Sequence, residues 1–191
     1  MLLTIGQAPA GASPGAEDAG PVALLLACHA RIRDFGALAR RIAGAVDAPA
    51  SHVGDAARDL HRYHTLALPL HQADEDLTVR PRLEAAASAP EVRAALARMG
   101  DEHVALELVL AELCPLWATL RDDPTRLPEL APRLIAPTDA LIALWDQHLA
   151  PEEALIFPAL AAVLSPAENA AIAAEIRARR DAERAAGGFS L

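Results

Sequence analysis

The sequence predicts an all-α protein: an up-down-up-down four-helix bundle with a short additional C-terminal helix and a flexible N-terminal arm. Three observations predict it. The chain is 53% hydrophobic but only 3% aromatic, with Ala and Leu in the majority and few β-branched residues, so material for strands is thin. Apolar residues recur at helical spacing along four long segments. Prolines and capping residues punctuate those segments where helices would start and stop.

Residues 1–20, rich in Gly, Ala and Pro, form the arm. A first helix is expected from Pro21, a favourable first-turn residue, to Ala48. A second starts after Ser51 as N-cap and runs to Ala87, with a kink or unwinding at Pro69 and Pro81. Ser88 with Glu91 reads as a capping box opening a third helix that ends near Asp122. The proline-spotted stretch DDPTRLPELAPR leads into a fourth helix from Arg133 to Leu164, interrupted at Pro137, Pro151 and Pro158. Ser165 and Glu168 open a fifth, stopped after Ala186 by Gly187-Gly188; its arginines read as a solvated face. The bundle thus spans 21–164, and the C-terminal helix and tail 165–191.

The net charge is −9, and all 17 basic residues are Arg. That balance argues against nucleic acid and against anionic membrane surfaces. Cys28 and Cys114 stand alone, so neither a disulfide framework nor a thiolate metal site is expected. There is no uninterrupted apolar run of membrane-spanning length, and the N-terminus does not read as a signal peptide. The expected location is the cytoplasm.

The chain also echoes itself. HQADEDLTVRPRLEAAASAPE from His71 aligns without gaps on HLAPEEALIFPALAAVLSPAE from His148. His71/His148, Glu75/Glu152, Pro81/Pro158 and Leu83/Leu160 coincide. Two copies of one metal-holding device, facing each other on the second and fourth helices, would produce this pattern.

Each of the four predicted bundle helices carries a His on its apolar stripe. The stripes are Leu25-His29-Ile32-Gly36, then Leu60-His64-Leu68-His71-Glu75, Met99-His103-Leu106-Leu110, and Leu141-Leu144-His148-Glu152-Leu155. A lone His there is ordinarily a hydrogen-bonded core residue. Four on four helices, two with a Glu one turn on, ask for another account. Burying two carboxylates costs several kcal/mol each without a compensating charge, and no Arg lies on these stripes within a turn of them. Four imidazoles and two carboxylates carry −2, which suits two divalent ions. His64 reads as a core or supporting residue, and Cys28 as a small buried side chain. His52 and His61 read as exposed, Tyr63 and Trp145 as packing.

With His29, His71-x-x-x-Glu75, His103 and His148-x-x-x-Glu152 in this order, the chain resembles the hemerythrin-like, HHE cation-binding proteins over residues 21–164. The endings DLTVRPRL and ALIFPAL resemble that family's as well. The resemblance implies an oxo- or hydroxo-bridged centre of two Fe ions, with Glu75 and Glu152 bridging and His29, His71, His103 and His148 terminal. Zn or another divalent metal fits the same donors. The family's oxygen carriers place a second His four residues after the third-helix ligand. Here that position is Glu107, which is expected to occupy or hydrogen-bond an open metal position. Pro151 distorts the turn before Glu152, so Glu153 stays open as the alternative bridge.

The function implied is binding or reduction of a small diatomic or peroxide ligand, in sensing, storage or stress defence. A metal-stabilised interaction module without turnover is the competing reading, with a homodimer or protein partner left open. A histidine phosphotransfer bundle would need a Lys that this chain lacks. A ferritin-like oxidase would need Glu three residues before His on two helices, and that spacing does not occur.

Overall fold

A computed structural model describes residues 19–86 and 89–187. Every regular element among them is helical. Helix α1 is Pro21–Gly44. Helix α2 is one long rod over 50–86, assembled from Ala50–Arg62, Leu68–Asp74 and Arg80–Ala86 with π-helical turns at Tyr63–Ala67 and Glu75–Val79 between them. Helix α3 is Pro90–Asp122. Helix α4 is a second rod over 127–163, made of Leu127–Pro151, a π-helical turn at Glu152–Ile156, and Phe157–Val163. Helix α5 is Pro166–Ala185. Each of the first four helices packs on the next, α1 closes the ring by packing on α4, and α5 lies against α1 and α2. This is the expected up-down-up-down bundle.

The helix ends differ from expectation in several places. Helix α1 stops at Gly44, four residues before Ala48, and α2 begins at Ala50 with extended Pro49 as its cap, so Ser51 caps nothing. The expected cap Ser88, and Ala87 before it, lie outside the described residues, as do 1–18 of the arm and Gly188. Helix α4 begins at Leu127, not Arg133. Asp123 accepts from the Thr125 backbone N–H to cap a short 3₁₀ turn (Pro124–Arg126), and buried Leu127, Leu130 and Leu134 draw the proline-spotted stretch into the helix. Ser165 and Glu168 open α5 as expected, and they do so as a capping box. Gly187, at φ 80°, supplies the left-handed residue that follows α5.

The three π turns follow from the sequence. The inward positions Leu60-His64-Leu68, Glu75-Val79-Leu83 and Glu152-Ile156-Leu160 step by four each time. Four residues overshoot one α-helical turn by ~40°, so two such steps would carry the stripe off the core. A wider i→i+5 turn absorbs the drift. Each ends two residues before a proline (Pro69, Pro81, Pro158), which lacks the N–H that an α-helix would use there.

Two hydrophobic cores result, one above and one below the histidine layer. The larger runs from Ile32 and Leu60 to Trp117 and Leu141. The smaller joins Leu25, Leu83, Met99 and Leu160 to Ile172 and Ile176 of α5. Helix α3 is long and apolar enough to cross a membrane by length and composition, yet its buried face belongs to both cores. The arginines of α5 form the expected solvated face only in part: Arg184 is exposed beside Asp181. Arg179 and Arg180 turn inward onto Asp74 of α2, which is fully buried, and Arg180 Nη2 also lies 3.4 Å from Cys28 Sγ.

Candidate metal centre

The bundle brings His29, His71, Glu75, His103, His148 and Glu152 into one buried layer, none more than 4% exposed. They form two overlapping groups whose ligating atoms lie within 4.8 Å of one another. One group is His29, His71, Glu75 and Glu152; the other is Glu75, His103, His148 and Glu152. Both carboxylates are common to the two.

Each carboxylate turns one oxygen to each group. Glu75 Oε1 is 3.1 Å from His71 Nε2, while its Oε2 is 3.2 Å from His103 Nε2. Glu152 Oε2 is 3.1 Å from His29 Nε2, while its Oε1 is 3.3 Å from His148 Nε2. None of these contacts has hydrogen-bond geometry: the four Nε2 atoms and four carboxylate oxygens are all buried without a hydrogen-bond partner. Orphaned polar atoms cost about 1–3 kcal/mol each, and more when charged, so a group of eight facing one another requires a common partner. A divalent cation held among them would be such a partner.

The outer ring nitrogens are tied down. Glu153 Oε1 lies 2.9 Å from His29 Nδ1, Asp76 Oδ2 3.1 Å from His103 Nδ1, and Glu102 Oε2 3.0 Å from His148 Nδ1. With Nδ1–H donated outward, each ring presents a bare Nε2 lone pair inward. His71 Nδ1 has no such partner.

Protons report the same negative potential. Burial pulls the His29 and His103 imidazoles down, but the adjacent carboxylates (Glu152 and Glu75 for His29, Glu75 and Asp76 for His103) outweigh it and push both up to about 9. Burial, then repulsion from Glu75, raises Glu152 to about 8. Burial would raise Glu75 too, but the imidazoles of His71, His103 and His29 hold it well below the usual carboxylate range. Positive charge is drawn to this layer whatever supplies it.

The remaining candidates fall elsewhere. Glu107 is exposed on α3, where the inward register passes through Leu106 instead, so it does not reach the centre. Glu153 points away from the shared position; it holds the outer nitrogen of His29 and pairs with Arg33 at 2.8 Å. His64 is buried in the larger core, with Nδ1 2.8 Å from the Leu60 carbonyl and its ring 4.8 Å from Trp117; burial first of all lowers it to about 4. Tyr63 stacks on Phe35, and Trp145 packs 5.7 Å from the His148 ring. His52 is exposed, and His61 half-buried rather than exposed.

Sequence reasoning missed Asp76, Glu102 and Phe157, whose ring lies 4.9 Å from that of His29. One of them had a signal. Asp76 occupies the place in the first repeat that Glu153, already singled out, holds in the second, directly after the shared carboxylate.

The profile of the hemerythrin HHE cation-binding domain matches residues 20–160. The chain belongs to the hemerythrin HHE cation-binding family. No curated protein sequence matches it as a relative. Within the family's span lie all six clustered residues, together with Asp76, Glu102 and Glu153. This is a metal-binding helical domain.

Proposed function

We propose that this hemerythrin-like chain holds two iron ions and binds or reduces a small ligand, O2, peroxide or NO, in sensing, storage or defence against oxidative or nitrosative stress. The observation that carries the reading is the division of the Glu75 and Glu152 oxygens between the two histidine groups. One oxygen of each carboxylate faces each group, which is the arrangement of a bridging ligand. The two carboxylates offset two charges of a four-charge pair and leave room for small anions. Each position offers two imidazole nitrogens and two carboxylate oxygens, so a six-coordinate ion would retain open positions.

Iron bound there would supply Lewis acidity and one-electron chemistry. The chain does the rest. Its two cores flank the layer and keep it almost wholly out of contact with bulk water. Asp76, Glu102 and Glu153 hold three rings in place.

Metal analysis of protein produced with iron, joined to Mössbauer and optical spectra, tests the proposal. Two coupled irons per chain that respond to O2, peroxide or NO are expected. Two zinc ions and no spectral response would keep the site and remove the redox role.

A further inference from the structure

The bundle has a pseudo-twofold logic that relates α1 to α3 and α2 to α4. His29 answers to His103, His71 to His148, Glu75 to Glu152, and Asp76 to Glu153. In each half, the acid after the shared carboxylate holds the outer nitrogen of a histidine on a neighbouring helix: Asp76 on His103, Glu153 on His29. The symmetry then breaks at one place. Glu102, the residue before His103, holds His148 Nδ1 at 3.0 Å. The residue before His29 is Cys28, and His71 Nδ1 is buried without a partner.

The surrounding charge is divided the same way. The His103–His148 group is backed by two carboxylates, Asp76 and Glu102, of which Asp76 lies 3.8 Å from Arg80 Nη1. The His29–His71 group is backed by one, Glu153, and Arg33 shares it at 2.8 Å. Where the second carboxylate would stand, Cys28 is approached instead by the Arg180 guanidinium, itself paired with Asp74. A carboxylate on the far nitrogen fixes a ligand ring and makes it a better donor, and its loss typically costs 10–100-fold in metal affinity.

From this asymmetry we infer that the two metal positions are unequal, and that the His103–His148 position binds its ion first and more tightly, with Glu102 as the positioning residue that sets the difference. The inference rests on the proposal that the layer holds two ions.

Anaerobic titration of the metal-free full chain with Co2+ alone, followed by calorimetry and by the visible bands of the bound ion, tests it. The parent is expected to show two events at least about tenfold apart in affinity. Glu102→Gln should weaken the first event by about 10–100-fold and shift the bands of the first-bound ion, while Glu102→Asp restores both in part. Glu153→Gln should leave the first event within about threefold and weaken the second. Two indistinguishable events in the parent, or a first event more sensitive to Glu153→Gln than to Glu102→Gln, would overturn the inequality while leaving the two-ion centre intact. A parent that takes up no ion would overturn both.

Discussion

Glu75 and Glu152 each open a π-helical turn, and each of those turns ends two residues before a proline, Pro81 in one rod and Pro158 in the other. The metal layer and the smaller core can therefore face inward together, although the residues joining them step by four. Pro81→Ala and Pro158→Ala restore the missing N–H and let the wide turn close. Each should stabilise the metal-free fold on the order of 1 kcal/mol, a fraction of the ~3 kcal/mol cost of a helix-interior proline. Closing the turn also rotates the ligands against the core, so affinity for divalent ions should fall about tenfold. Chemical denaturation and metal titration measure the two effects; unchanged affinity would separate the turns from the site.

The histidine and carboxylate pattern was legible because burial of charge leaves a periodic trace, and four helices carried it independently. The two-copy reading of α2 and α4 extends further than the matched letters, since the π turns themselves fall at the same repeat positions. The steps of four at Leu60-His64-Leu68 and in both repeats were visible as well, but an α-helical period assumed throughout hides their meaning. Contacts made by α5 were not legible. Arg179 and Arg180 look like any charged helix face until the partner is known to be a buried Asp on another helix. Glu107 misled because its spacing from His103 was weighed without the register of Leu106. Glu107→Ala should accordingly leave metal content and spectra as in the parent.

Glu152 separates the needs of the fold from those of the metal. In the metal-free protein, burial and the Glu75 charge raise it to about 8, so at pH 7 it is largely a neutral acid. Glu152→Gln replaces it with a neutral group of the same shape. Metal-free stability should match that of the parent at pH below about 4.5, where both side chains are neutral in both states, and should exceed it at pH 7, where only the unfolded parent ionises, whereas binding of two ions should be lost. The folded state holds this proton more tightly than the unfolded chain does. Its contribution is therefore complete below about 4.5 and lost as pH rises through about 8. Denaturation of both proteins across that range should show the parent falling relative to the variant.

Gly36 sits on the buried stripe of α1, and a Cβ there would meet Ile142 Cγ1 at 3.5 Å, ordinary van der Waals contact. Nothing in the backbone requires glycine at that position. Gly36→Ala should gain helix propensity and fill space without displacement, stabilising the fold by about 0.5–1 kcal/mol. A higher midpoint in urea at unchanged slope would show it. Destabilisation would mean that α1 and α4 pack more closely there than the Ile142 contact indicates.

Asp74 ties α5 to the bundle. Its carboxylate is fully buried directly before Glu75, and it receives Arg179 and Arg180, while Arg179 Nη2 also donates to Thr78 Oγ1 at 2.9 Å. Burial raises the Asp74 carboxyl despite those two guanidiniums, so the pair is held under desolvation. Removing one partner of such a pair leaves the other charge buried and alone, at a cost of about 3–5 kcal/mol. Asp74→Ala leaves two guanidiniums that already reach solvent, so it should lose less than that; it should also loosen α5, uncovering Ile172 and Ile176 and opening the α4–α5 junction to protease. Arg180→Ala leaves Arg179 on the carboxylate, so its cost should be smaller. If the arginines act only as a latch, metal affinity of Arg180→Ala will follow its stability; a larger loss of affinity than of stability would show that the latch also sets the position of Glu75.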